Sequence, residues 1–254
     1  MYHRGVVIVL LQGEKIEGLS KNISVIVSPQ HTFGTDATLL ANFAAPKKKD
    51  RACDMGTGCG IIPLIWCRKE TPASITALDI QEKACEQLKR SVEMNRLEER
   101  ILVVNCDLRR LKGVLPFGVF DLVTMNPPYK AVRTGLESMD EAQRIARHEV
   151  ACTVYDAANA ASMLLNYGGR FCICHRPERL TDVLDAMRKA NLEPKRLRFV
   201  CQREGEAPWL LLAEGKKGGK PNITILPALI VEDKHGNYTP EMEKIYGEYR
   251  EMRE

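Results

Sequence analysis

The chain has 254 residues, 44% of them hydrophobic and 28% charged, with a formal net charge of +4. This fits a globular protein with a full core, either one large α/β domain or a domain with a small appendage, and holds no repeat or low-complexity tract. No apolar stretch approaches the roughly 20 residues of a membrane span, and so modest a positive charge permits an anionic partner without demanding one.

Nine cysteines are scattered through the chain: Cys53, Cys59, Cys67, Cys85, Cys106, Cys152, Cys172, Cys174 and Cys201. Their number is odd, no Cys-x-x-Cys pair occurs, and most sit in apolar runs where a free thiol behaves as a small hydrophobe. Neither a metal site nor a disulfide framework is expected, and a reducing cytoplasm is the compartment this usage fits.

Residues 1–45 read as a strand-rich extension with a β-hairpin and the start of a capping helix; residues 46–254 read as the main domain. In the extension, Val6 to Leu11 and Ile23 to Val27 are strand-like, and the Gly- and Lys-bearing stretch between them reads as a turn. The run is too short, and too soon followed by charge, for a signal peptide. His31-Thr32-Phe33-Gly34-Thr35-Asp36 leads into a helix capped by Thr35 or Asp36, with Leu39, Leu40 and Phe43 on its buried side. Lys47-Lys48-Lys49-Asp50-Arg51 is a charged connector.

Strand and helix then alternate. Strands are expected at Ala52 to Asp54, Ser74 to Asp79, Ile101 to Cys106, Phe120 to Met125, Arg170 to His175, Arg196 to Cys201 and Trp209 to Ala213. Helices are expected from Ile61 to Lys69, Gln81 to about Met94, about Glu149 to Leu165, and Pro177 to about Ala190. Pro63 falls within a first turn, where its missing N–H is tolerated. The alternation predicts a doubly wound, mostly parallel seven-stranded sheet of Rossmann-like type.

In such sheets ligands bind at the carboxyl ends of the strands. The fourth strand, Asp121-Leu122-Val123-Thr124-Met125, empties into Asn126-Pro127-Pro128-Tyr129. The Asn126 side-chain carbonyl and the Pro127 backbone carbonyl can each accept one hydrogen of a planar amino group. Pro128 restricts its predecessor to an extended shape and so aims that carbonyl. Tyr129 offers a face for stacking. Two acceptors on one NH2 draw its lone pair out of conjugation, which suits methyl transfer to an adenine amine or a carboxamide nitrogen. The bland reading is a plain turn.

A methyl donor site is expected at the loop Asp54-Met55-Gly56-Thr57-Gly58-Cys59-Gly60, whose glycines let the backbone approach a ligand. A dinucleotide fingerprint would place its third glycine at position 61, which is Ile61. Asp54 suits a cationic amino group better than a pyrophosphate. Asp79, followed by Ile80, can accept from both hydroxyls of a ribose, and Asp107, followed by Leu108, from an adenine amine. Each acid alone reads as a turn former. Asp54, Asp79, Asp107 and Asn126 end four successive strands, however, and all should lie on one sheet edge.

With these residues assembled, the chain resembles class I S-adenosylmethionine-dependent methyltransferases, and among them the bacterial tRNA1(Val) adenine-37 N6-methyltransferase family. The likeness runs from Phe33-Gly34-Thr35-Asp36-Ala37 through Arg147-His148-Glu149 and Gly168-Gly169-Arg170-Phe171 to Leu226-Pro227-Ala228-Leu229-Ile230-Val231. It implies a donor site of Thr35, Asp36, Asp54, Gly56, Thr57, Gly58, Gly60, Asp79, Ile80, Asp107, Leu108 and Asn126. It also implies an adenine held by Asn126, Pro127, Pro128 and Tyr129, and tRNA as partner. Lys130 stands where many relatives carry an aromatic residue, and Cys59 where the family often has Thr. Candidate RNA contacts are Lys130, Arg133, Arg144 and Arg147, with Lys195, Arg196, Arg198, Lys216, Lys217 and Lys220; each alone reads as a solvated surface charge. No membrane association and no obligate protein partner are expected.

A protein glutamine N5-methyltransferase acting on release factors stays open, since a carboxamide fits the same two acceptors. Against it stands the strand-rich start, where that family generally carries a helical domain. A DNA adenine methyltransferase would need a target-recognition domain that is not evident. A non-catalytic RNA-binding protein on a methyltransferase fold is the remaining alternative.

Overall fold

A computed structural model describes residues 9–69, 71–127, 152–247 and 249, and the backbone of 2–3 and 6–7. Two residue pairs, β1 (Tyr2–His3) and β2 (Val6–Val7), pair antiparallel. The expected strand does not continue through residues 9–11. The stretch read as a turn is itself a strand, β3 (Lys15–Gly18), which pairs antiparallel with β4 (Ser24–Val27).

The outer edge of β4 is completed by a helix instead of another strand. Gln87, Ser91 and Asn95 recur every four residues along α3 (Glu82–Asn95), so they share one face. Asn95 Oδ1 accepts from Ser24 N (2.9 Å) while its amide donates to Ser24 O (2.7 Å), Ser91 Oγ accepts from Ile26 N (3.0 Å), and Gln87 donates to Ile26 O (2.8 Å). Side chains thus satisfy buried backbone groups that a free edge would leave unpaired. The hairpin is thereby fixed to the helix.

Helix α1 (Thr35–Ala44) starts one residue earlier than expected: Gly34, extended at φ −115°, is its N-cap. Asp36 lies in the first turn, where its Oδ1 accepts from Ala37 N at 2.8 Å and its charge complements the helix dipole. The main sheet follows as β5 (Arg51–Met55), α2 (Ile61–Cys67), β6 (Ser74–Asp79), α3, β7 (Ile101–Asn105) and β8 (Phe120–Met125). Beyond residues 128–151 come α4 (Val154–Leu164), β9 (Leu165–His175), α5 (Leu180–Lys189), β10 (Leu192–Cys201) and β11 (Pro208–Lys217). Helix α4 begins at Val154 because Thr153 and Asp156 form a reciprocal capping box. Strand β9 starts well before Arg170 and takes in the Gly168-Gly169 pair, which the sequence pattern leaves outside any strand.

The seven strands lie in the order β10-β11-β9-β8-β5-β6-β7, parallel except for β11. Two-residue strands β12 (Thr224–Ile225) and β13 (Leu229–Ile230) pair with β10 and bring the sheet to nine. Alternate residues of the same strands feed two cores: Ala52, Ala77 and Leu122 face α1, α2 and the closing helix α6 (Pro240–Tyr246), whereas Cys53, Leu78 and Val123 face α4 and α5. Strand order reverses between β5 and β8, so a ligand crevice opens at the carboxyl ends of these two.

Candidate active site

At that reversal lies a cleft of about 690 Å³, within the roughly 300–1,000 Å³ of a small-molecule site. Asp54, Asp79, Asp107 and Asn126 line it together, with Gly56, Thr57, Gly58, Ile80, Leu108, Pro127 and Asp36. The strand register brings this about: Asp54 pairs with Thr124 and Asp79 with Asn105. Pro128 and Tyr129 lie outside the described residues, as do Lys130, Arg133, Arg144 and Arg147.

Asp54 is 1% exposed. Its Oδ1 accepts from the Thr124 hydroxyl at 2.7 Å, and its Oδ2 has no partner. Burial pushes its carboxyl up to about 7, against the pull of the Thr124 hydroxyl and, without a well-formed hydrogen bond, of the Thr57 hydroxyl. A buried carboxylate with an orphaned oxygen is costly unless a cation arrives to pair with it. Asp79 is held differently: its Oδ2 accepts from Gly58 N (2.8 Å) and its Oδ1 from Gln81 N (2.9 Å), which fixes both oxygens at the strand end with lone pairs left over. Gly58 has φ +55°, and the place its Cβ would take is open space, so the bare backbone of the loop faces the cleft.

Asp107 is engaged already. Arg109 grips both its oxygens at 2.7–3.1 Å and holds its carboxyl below the usual range. The Asn126 carbonyl accepts from Cys174 Sγ at 3.0 Å. Arg109, Cys174 and Thr124 are positioning residues that sequence reasoning missed. Only the register of β8 against β9, which sets Met125 beside Ile173 and carries Cys174 up to Asn126, could have exposed the second. The segment Gln30–Phe33 was also missed as cleft wall.

Several expected contacts are corrected. The Thr35 hydroxyl points away from the cleft lining and is bonded to the Tyr246 hydroxyl at 2.9 Å. Gly60 is a packing position: it caps α2 at φ +80°, and any Cβ would run into Leu88 of α3. Arg196 is paired with Glu214 (2.7 and 3.0 Å) and lies over the Phe43 ring at 4.6 Å. Arg198 forms a two-pronged pair with Glu241. Lys217 Nζ donates to the carbonyls of Ser162 and Leu165 (2.6 and 2.7 Å), and Lys195 Nζ to those of Lys220 and Asn222 (3.2 and 2.7 Å). The two arginines are neutralised by acids of the fold, whereas the two lysines are tied to carbonyls and keep their charge. None lines the cleft.

A mostly parallel sheet with a glycine loop and acids at three successive strand ends is the framework of an enzyme that holds a nucleoside-bearing ligand at the switch point. A family model described as the methyltransferase small domain matches residues 28–178, and the chain belongs to that family. The enzyme is a methyltransferase. A protein of Parabacteroides distasonis named tRNA1(Val) (adenine(37)-N6)-methyltransferase is 29% identical over 181 residues, 71% of this chain and 75% of its own. One of the same name from Bacteroides thetaiotaomicron is 32% identical over 161 residues, 63% of this chain and 64% of its own. The crystal structure of a predicted O-methyltransferase from Agrobacterium tumefaciens superposes with a TM-score of 0.68 over 85% of this chain and 97% of its own, at 22% identity, a likeness of fold. Among the described residues no helix is long and apolar enough to cross a membrane.

The residues present fit S-adenosylmethionine, the expected methyl donor. The orphaned Asp54 oxygen suits its ammonium group, the anchored Asp79 carboxylate suits its ribose hydroxyls, and the open backbone at Gly58 admits it closely.

Proposed function

We propose that the protein transfers a methyl group from S-adenosylmethionine to the exocyclic N6 of an adenosine in tRNA, at position 37 of the anticodon loop. The observation that carries this reading is Asn126. Its carbonyl stands at the end of β8 on the wall of the donor cleft, directly before Pro127, with Pro128 and Tyr129 next in sequence. The names of the relatives support RNA over the other amine substrates.

Donor recognition falls to Asp54, Asp79 and Asp107, the last oriented by Arg109. The bound donor supplies an electrophilic methyl group on a sulfonium. Asn126 Oδ1 and the Pro127 carbonyl take the two hydrogens of the target amine, which turns its lone pair towards that methyl. Cys174, by donating to the same Asn126 oxygen, fixes its direction while leaving it a further lone pair. Tyr129 stacks on the extruded base. An unpaired loop adenosine makes that extrusion inexpensive. The chain therefore contributes positioning and pre-organised acceptors. The methylated amine is acidic enough to release its proton to solvent, so no side chain is needed as a base.

Incubation with isotope-labelled S-adenosylmethionine and unmodified tRNA, followed by digestion, tests the reading. Labelled N6-methyladenosine mapped to position 37 is the expected result. Silent tRNA with label on a release-factor glutamine would replace it with the carboxamide reading.

A further inference from the structure

The sheet edge opposite the donor cleft carries a second pocket, about 430 Å³, for which the reaction has no use. It opens where the parallel strands begin, between Lys47, Asp121, the Asn166–Arg170 start of β9, Lys195 and Lys216. Of its acids, Asp50 and Glu214 are paired with arginine, while Asp121 is tied to neutral donors and keeps its charge. Asp121 accepts from Arg51 N (2.8 Å) and the Asn166 amide (2.7 Å), Asp50 from Lys47 N (2.9 Å), and Glu214 holds Arg170 and Arg196 (3.0 and 2.7 Å).

The lysines keep their charge. Among the described residues, the ammonium groups of Lys47 and Lys216 have no hydrogen bond or ion pair, and Lys195 meets only carbonyls. Lys48 and Lys49, both exposed, extend the run.

Beside them stands an aromatic ring held out into solvent. Tyr167 is 82% exposed, yet its hydroxyl donates to Gly218 O at 3.1 Å. The ring lies against Gly218, a left-handed residue at φ +65° where any Cβ would collide with it. Burial does not account for a tyrosine in this state; a fixed, solvent-facing platform does.

We propose that this edge is a second RNA contact, in which Lys47 and Lys216 take phosphates and Tyr167 stacks on an exposed nucleobase. The inference rests on the tRNA reading and assigns the substrate a second anchoring point. Seven residue steps of β9 lead from Tyr167 to Cys174, whose thiol meets Asn126 on the cleft wall, which at ~3.3 Å each is roughly 23 Å. Several free cations along one edge with a stacking ring match a polyanion that carries bases. A single free phosphate would use neither the ring nor the Lys47–Lys49 run.

Two variants of the full chain, the double K47Q/K216Q and Y167A, are compared with the wild type on full-length tRNA and on a short hairpin holding the same adenosine. Binding is read by fluorescence anisotropy across salt concentration, and methylation by label transfer. The double variant should weaken tRNA binding about tenfold and flatten the slope of log K against log salt by roughly 1.5. Y167A should weaken binding about fivefold or more. Both should methylate the hairpin within about twofold of wild type, because it is too short to span both edges. Unchanged tRNA binding and slope, or equal losses on hairpin and tRNA, would overturn the proposal. A wild type that methylates neither RNA refutes the tRNA reading alone, since the binding arm still decides whether this edge holds RNA.

Discussion

Replacing Asp54 with asparagine separates what the donor site costs the fold from what it does. The Asp54 carboxyl is raised from 3.8 to about 7 in the folded protein because it is buried. Folding therefore binds a proton more tightly than the unfolded chain does. The sign follows: the penalty is absent below pH 3.8, grows as pH rises, and is complete above about 7. Three pKa units correspond to about 4 kcal/mol at pH 8, and less than half of that at pH 5. The amide of D54N keeps the shape without the charge. In thermal melts the variant should therefore gain on the wild type as pH rises from 5 to 8, by roughly 4–10 °C at 2–4 °C per kcal/mol. Calorimetry should show the opposite for function: the wild type loses donor affinity as pH falls below 7 and Asp54 protonates, while D54N binds about 100-fold more weakly with little pH dependence. Parallel stability curves for the two proteins would refute the argument, because the buried carboxylate would then carry no proton linkage.

Asn126→Ala should lower turnover about 100-fold or more while leaving donor affinity nearly unchanged, since it removes an acceptor that acts on the amine; isothermal titration beside steady-state kinetics separates the two. Gly60→Ala should destabilise the fold by about 2–4 kcal/mol in urea titrations, combining a left-handed alanine with overpacking against Leu88. Trimming Leu88 to Ala in that background should recover part of the loss. Arg196→Ala should cost about 2 kcal/mol of stability through Glu214 and leave the salt dependence of RNA binding as it was. A reduced salt slope for that variant would return Arg196 to the RNA surface.

The sheet was legible because buried parallel strands advertise themselves as short apolar runs between helical periods. Asp54, Asp79 and Asp107 could be read for the same reason: a polar residue that ends such a run must emerge at the strand's carboxyl edge. The extension was read less well. Lys15–Gly18 has one clearly apolar residue and looks like a turn, and it is a strand because the β4 backbone pairs with it. Strand β4 in turn has its far edge satisfied by Gln87, Ser91 and Asn95, polar residues on a helix face that periodicity assigns to solvent.

The misread cations follow from a similar blindness. Arg196 and Arg198 look in sequence like the free lysines around them, and what separates them is an acid far along the chain: Glu214 and Glu241. Charge in a sequence is a quantity, whereas a binding surface is charge that the fold has left unneutralised. By that criterion the expected basic face shrinks at β10, where the arginines are locked to acids. It survives at the opposite sheet edge, around Lys47 and Lys216, beside the aromatic ring that Gly218 holds open to solvent.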